Sequence, residues 1–157
     1  MDFFNPEFLL VIKLVAAMSL GLLLGVERTL SGAMAGMRTY ALVAMGSCLL
    51  VVVAETVSMG FLGKTMFDPL RVAAGIVTGV GFLCGGLIVF QPKEHQLSGL
   101  TTAAGLWVAT GIGISVGYGM YVLAIAATIL ALFVLSILFH MEIEVKKVSG
   151  TLESIKK

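Results

Sequence analysis

The sequence predicts an all-α integral membrane protein, a bundle of about five transmembrane helices, and three observations predict it. Hydrophobic residues make up 59% of the 157-residue chain and charged residues only 12%, whereas a soluble domain carries about 25% charged residues. The mean hydropathy is +1.07. The apolar residues are gathered into runs of about 19–22, long enough as helices to cross a hydrocarbon core of roughly 30 Å. Residues 1–140 read as one transmembrane domain and 141–157 as a short tail. The first run follows Asp2 and Glu7 and is itself long enough to span, so no cleavable leader is expected.

The first predicted span runs from Pro6 to Val26, with Asn5 as its cap and Pro6 at the first helical position. Lys13 interrupts it two turns in. The second runs from Thr39 to Ser58 and the third from Pro69 to Phe90. The fourth covers Gly99 to Gly117 and the fifth Met120 to Phe139, joined by a tight Tyr118-Gly119 turn that implies an antiparallel hairpin. The intervening pieces, Glu27–Arg38, Met59–Asp68 and Gln91–Ser98, are too short for a soluble domain. After Met141 the pattern changes: Met141, Ile143 and Val145 alternate with Glu142, Glu144 and Lys146. Period-two alternation reads as a strand that needs a partner chain or a further domain, with a continued helix as the other reading.

Lysine and arginine set the expected orientation. With five spans, one side carries Arg28, Arg38, Lys93, Lys146, Lys147, Lys156 and Lys157, against Lys13, Lys64 and Arg71 on the other. That places the N-terminus outside and the C-terminus in the cytoplasm. A net charge of +1 implies no nucleic-acid partner. Cys48 and Cys84 fall inside apolar runs and form no metal or redox motif. No cofactor is implied. Gly79-Val80-Gly81 followed by Cys84 fails as a dinucleotide loop, because the third glycine and the preceding strand are missing.

Ionisable residues at membrane depth are costly and default to functional candidates. Glu27 and Arg28, followed by Arg38 and Thr39 across a loop with two glycines, can form an ion-paired cluster or simply anchor the interface. Asp68-Pro69-Leu70-Arg71 starts the third span with an N-cap aspartate, and Arg71 is placed to pair with Asp68. Asp68 with Glu55 is a weak candidate for a cation, weakened further by Arg71. Thr101 and Thr102 open the fourth span as caps or interhelical donors. His95 and His140 read as solvated interface residues, and no nucleophile has a paired base, so no enzyme is expected.

Nineteen glycines are a heavy load for a helical chain. Gly21/Gly25, Gly75/Gly79, Gly81/Gly85 and Gly113/Gly117 are spaced four apart, the spacing that lets helices approach closely in lipid. Gly75, Gly79, Gly81, Gly85 and Gly86 crowd the third span, which is therefore expected to be central and packed on several sides. Intramolecular packing and a homodimer face both remain open.

In order, Leu24-Gly25-Val26-Glu27-Arg28, Ala35-Gly36-Met37-Arg38-Thr39, Asp68-Pro69-Leu70-Arg71-Val72-Ala73-Ala74, Gly79-Val80-Gly81-Phe82-Leu83 and Gly99-Leu100-Thr101-Thr102-Ala103-Ala104 resemble the MgtC/SapB family of bacterial inner-membrane proteins. The resemblance runs from about Phe8 to Phe139. It implies five spans, a bacterial inner membrane, and adaptation to low magnesium, acid stress or a host environment. It also implies partners among other membrane proteins, the membrane ATP synthase being one for some members. The family's acidic residue maps to Asp68, and its Glu-Arg and Arg-Thr pairs to Glu27, Arg28, Arg38 and Thr39. Gly75 stands where glutamine is common and Cys84 where alanine or glycine is common. Longer members continue into a cytoplasmic α/β domain. The residues from Met141 to Lys147 resemble its beginning, which makes this chain a short form.

Two function classes follow. A regulatory protein that binds other membrane proteins would use glycine-rich contact faces and structural charges. A transporter or channel for a small ion such as Mg2+ or H+ would bring Glu27, Arg38, Asp68, Arg71 and the threonines to one cavity. Five spans without an inverted repeat and charges near span ends favour the first.

Overall fold

The computed structural model describes residues 6–60, 68–91, 96–139, 141 and 145. Among them are five helices long and apolar enough to cross a membrane. They are α1 (Pro6–Leu30), α2 (Met37–Met59), α3 (Pro69–Leu87), α4 (Leu100–Gly117) and α5 (Tyr121–Phe133), which continues as a π-helical turn over Val134–Leu138. The expected fold class holds, with two changes of boundary. Helix α1 runs one turn further than its apolar run, so Glu27 and Arg28 are helical residues. Helix α3 stops at Leu87, and the chain passes to α4 through a small antiparallel hairpin, β1 (Val89–Gln91) and β2 (Gln96–Ser98), in register Val89 opposite Ser98. The cap expected from Asn5, together with Lys64, Pro92, Lys93, Glu94, His95 and His140, lies outside the described residues. In the tail Met141 and Val145 are helical, which favours the continued helix over the strand; the rest of the tail lies outside the described residues.

The helices end where local chemistry ends them. Helix α1 closes with the Ala33 N–H on the Arg28 carbonyl and the Gly32 N–H on the Thr29 carbonyl. This Schellman pattern needs a left-handed residue, and Gly32 supplies it at φ +69°. Helix α2 begins at a glycine cap with no side chain to offer. Thr29 compensates from α1, accepting the Met37 N–H at 3.1 Å while donating to the Gly25 carbonyl at 2.9 Å. At α3 the Asp68 carboxylate accepts the Leu70 N–H at 2.9 Å, as the Asp-Pro start predicts.

Helix α4 is the axis of the bundle and packs against α1, α2, α3 and α5. Fifty-six per cent of its span is buried, against 11% for α3. The expectation that α3 is central is therefore wrong. Helix α3 lies at the edge, leaning on α4 and less on α2. At Gly75, Gly79, Gly81, Gly85 and Gly86 an added methyl group would meet nothing within 4 Å. The packed glycines lie elsewhere. A methyl at Gly113 of α4 would run into the Ala44 backbone of α2. One at Gly21 of α1 would lie 2.6 Å from the Tyr40 carbonyl, and one at Gly117 2.7 Å from Val51. Glycine spacing is the same in α1, α3 and α4; the difference is what each helix faces.

Tyr40, wholly buried, sits where α1, α2 and α4 meet, and its hydroxyl donates to the Thr102 carbonyl at 3.2 Å. Leu24, Cys48, Val51, Leu106, Ala109, Ile112 and Val116 complete the core.

Two substitutions separate packed from open glycines. Gly113→Val drives a branched side chain into α2 backbone and should cost roughly 3 kcal/mol. Gly75→Ala should be neutral or stabilising by up to about 1 kcal/mol, through helix propensity alone. Thermal unfolding in detergent micelles of the isolated chain checks both. Equal losses at the two sites would refute the peripheral placement of α3.

Candidate functional site

Charged residues gather at the two ends of the bundle, which we call the arginine end and the lysine end. At the arginine end the last turn of α1 projects Glu27 and Arg28 inward. The Arg28 guanidinium grips the Glu27 carboxylate with two nitrogens, Nη2 donating to Oε1 at 2.6 Å and Nε to Oε2. Nη2 also donates to the Leu135 carbonyl at 3.2 Å, and the Ser31 hydroxyl donates to Glu27 at 2.8 Å. Leu135 lies in the π turn of α5, where the ladder widens. Only 5% of Arg28 is exposed. An arginine in the last turn of a helix also faces the negative pole of its dipole. One four-member network thus joins α1 to α5 and leaves the buried charge fully partnered.

Above this network is a cavity of 460 Å³, lined by Arg28, Ser31, Ser98, Thr101, Thr102 and the π turn. Glu27, Arg28, Thr101 and Thr102 are thus brought together as the sequence suggests. Arg38 and Thr39 are not among them: both are exposed on the first turn of α2.

The lysine end holds the other candidates. Lys13 reaches from α1 to the Gly117 carbonyl at 2.7 Å, capping the end of α4, and lies 3.6 Å from the Glu55 carboxylate of α2. The side chains of Lys13 and Glu55 are 19% and 32% exposed. The Tyr118 hydroxyl donates to the Pro69 carbonyl at 2.6 Å and ties the α4–α5 turn to the start of α3. Burial raises the Tyr118 hydroxyl above the ordinary tyrosine range, and the Glu55 and Asp68 carboxylates push the same way. Asp68 and Glu55 therefore share this end, as a cation site would require. Each, however, is engaged otherwise, Asp68 as a helix cap and Glu55 with Lys13. Among the described residues no three His, Cys, Asp or Glu side chains gather to hold a metal. Arg71 is exposed, and its expected ion pair with Asp68 is not formed; the two ion pairs among described residues are Lys13–Glu55 and Glu27–Arg28.

Between the two ends the interior is apolar. The buried hydroxyls there turn back onto their own helices: Ser47 to Val43, Thr110 to Leu106, Ser115 to Gly111 and Thr128 to Ala124, all at 2.8–2.9 Å. Cys84, by contrast, donates its thiol across to the Ala103 carbonyl and stitches α3 to α4.

Sequence reasoning missed Lys13, Thr29, Ser31 and Tyr40. Ser31 was reachable, since it stands four residues after Glu27 and a helix carried through Leu30 puts the two side by side. Lys13 carried a signal as a charge two turns inside an apolar run, but its partners come from α2 and α4, distant in the chain.

Residues 14–143 match the model of the MgtC family. The chain is 40% identical over 136 residues to a putative magnesium transporter YhiD of Escherichia coli K12, covering 83% of this chain and 60% of that protein. It is 42% identical over 122 residues to protein MgtC of Salmonella typhimurium, covering 78% of this chain and 49% of that protein. It is 36% identical over 132 residues to protein SapB of Bacillus subtilis, covering 83% and 56%. The chain thus spans about half to three-fifths of the length of these curated relatives. No solved structure matches it.

The arginine-end network predicts a coupled response. Arg28→Gln leaves Glu27 poorly paired in a buried setting and should cost roughly 3 kcal/mol. The double variant Glu27→Gln/Arg28→Gln should recover a good part of that loss. Denaturation in detergent micelles, run as a double-mutant cycle, measures the coupling; additive losses would show that the pair does not act as a unit.

Proposed function

Because the chain belongs to the MgtC family, a multi-pass membrane protein family, we propose that it is a regulatory protein that acts by binding other membrane proteins, and not a carrier of an ion. The observation that carries this reading is the separation of its charges. The two ion pairs sit at opposite ends of the bundle, each neutralised by its own partner. The helices between them meet through Leu24, Ala44, Cys48, Leu106, Ala109 and Ile112, all at most 1% exposed. A pathway for a hydrated cation would need polar groups at midplane that face a cavity. Here the midplane hydroxyls are spent on their own helices.

The loosely packed glycines of α3 support the same reading. Glycine in a helix interior costs about 1 kcal/mol relative to alanine, and Gly75 and Gly79 border an unfilled cleft of 380 Å³ toward α2, where nothing in the same copy lies within 4 Å of an added methyl group. A partner segment entering that cleft would supply the missing contact. The family resemblance, together with a relative named a putative magnesium transporter, points to low-magnesium adaptation as the setting, and the resemblance extends to acid stress and the host environment. The membrane ATP synthase is one partner that resemblance suggests. We place the protein in the bacterial inner membrane with its N-terminus outside and the arginine end toward the cytoplasm, on the lysine and arginine count. We read it as non-enzymatic and without a cofactor.

Transport is the second reading, favoured by the name of the Escherichia coli relative and by the polar cavity at the arginine end. Proteoliposomes with a magnesium gradient and an internal magnesium dye separate the two. The regulatory reading expects flux equal to that of empty vesicles. It also expects Gly79→Leu to abolish growth of a complemented deletion strain at low magnesium, with membrane insertion and unfolding temperature unchanged. Asp68→Asn keeps a good helix cap and removes only the charge; it should impair complementation without affecting insertion. Flux through the wild-type chain that Asp68→Asn abolishes would overturn the regulatory reading.

A further inference from the structure

The last span carries an irregularity that its own residues do not impose. From Tyr121 to Phe139 it contains neither proline nor glycine, the residues that break a helix ladder from within. The α-helix nevertheless stops at Phe133, and Val134–Leu138 form a π turn. Such turns are rare and hold one residue more than the α turn they replace. The cause lies in what the turn touches, because a side chain inserted into the ladder also interrupts it.

That side chain is Arg28. In an α-helix the Leu135 carbonyl would accept the Phe139 N–H. Here the Phe139 N–H donates to the Ser136 carbonyl, and the Leu135 carbonyl accepts from Arg28 Nη2 at 3.2 Å. Leu135 is 7% exposed, and a backbone carbonyl at membrane depth has to be satisfied within the protein. One carbonyl thus has two ways of being satisfied, by the guanidinium in the π register or by the helix's own N–H in the α register. The same Arg28 nitrogen lies 2.6 Å from Glu27 Oε1. When α1 and α5 move apart, the shorter, charge-assisted bond within α1 holds and the longer one to Leu135 breaks.

We propose that Arg28 and the Leu135 carbonyl form a register latch at the end of α5. Engaged, the latch holds the π turn. Released, the turn reverts to α-helix, and the chain beyond Leu138 rotates about the helix axis. One residue of register is a rotation of roughly 100°. On a helix of about 5–6 Å radius, side chains included, this carries a side-chain tip through roughly 8 Å. Met141 and Val145, both helical and exposed, stand on the segment that rotates. A small displacement of α1 inside the bundle is thereby converted into a reorientation of the segment that leaves it. The latch goes beyond the function proposed above and operates whether the protein regulates partners or moves an ion.

Double electron–electron resonance on the full chain in detergent micelles tests it. Spin labels are carried on ketone-bearing unnatural residues, so that Cys48 and Cys84 stay native. One label pair, Leu42 with Met141, spans the π turn; a control pair, Leu42 with Ile129, ends before it. All three positions are exposed. Arg28→Gln should shift the Leu42–Met141 distance by up to about 8 Å and leave Leu42–Ile129 in place. Arg28→Lys keeps the charge opposite Glu27 and gives up the planar fork, so it reports the same shift in part of the population should Arg28→Gln not fold. Deleting Ile137, an exposed residue of the turn, removes the extra residue and leaves Met141 on its present face; in that background neither Arg28 variant should shift the distance. An unchanged Leu42–Met141 distance in both Arg28 variants would show that the π register stands without the guanidinium and overturn the proposal. Equal shifts in both label pairs would mean that α5 moves as a body, and a shift that persists after the Ile137 deletion would mean that register is not its cause; either result overturns the latch.

Discussion

The rest of the bundle depends on how closely α4 approaches α2. Inside a bilayer the helices gain nothing from leaving water, so they hold together through van der Waals contact and hydrogen bonds. Contact is densest where backbones nearly touch. Gly113 against Ala44, Gly117 against Val51 and Gly21 against Tyr40 bring three helices to that distance. Tyr40 then fills the space they leave, and its hydroxyl finds the Thr102 carbonyl. With that trio in place, α5 closes on α4 and α1, and α3 is left the outer side of α4.

The charged residues take their places from this arrangement. A charge near a span end must reach water or find a partner. Arg28 is carried inward by the extra turn of α1 and is satisfied by Glu27, Ser31 and a carbonyl of the π turn. Lys13 enters between α2 and α4 and satisfies both a carboxylate and an open helix end. Arg28 through the Leu135 carbonyl, and Lys13 through Glu55 and the Gly117 carbonyl, tie α1 to other helices toward both of its ends. The same geometry explains why the polar residues do not meet at one centre. The motifs Glu27–Arg28 and Asp68–Arg71 sit at opposite ends because one helix, α2, separates them along the chain and reverses direction between them.

Much of the fold was legible from single residues. Asp68-Pro69 announced the start of α3, Tyr118-Gly119 the α4–α5 hairpin, and the lengths of the apolar runs the number of spans. The cluster at Glu27 was legible in part, because adjacent opposite charges at the end of an apolar run must be reconciled locally. The role of the α3 glycines was not. Gly75/Gly79 and Gly113/Gly117 have the same spacing, and spacing states only that a helix has a narrow face. What lies against that face is set by residues far away in the chain.

The sequence by itself determined residence in the bilayer, the number and approximate limits of the helices, and the family, because these follow from local composition, caps and short ordered motifs. The tertiary structure alone decided that α4 and not α3 is the axis, that Lys13 serves Glu55 and Gly117, and that Arg28 meets the Leu135 carbonyl of α5. Those outcomes depend on which backbones can approach, a matter of pairwise shape between helices that no single segment encodes.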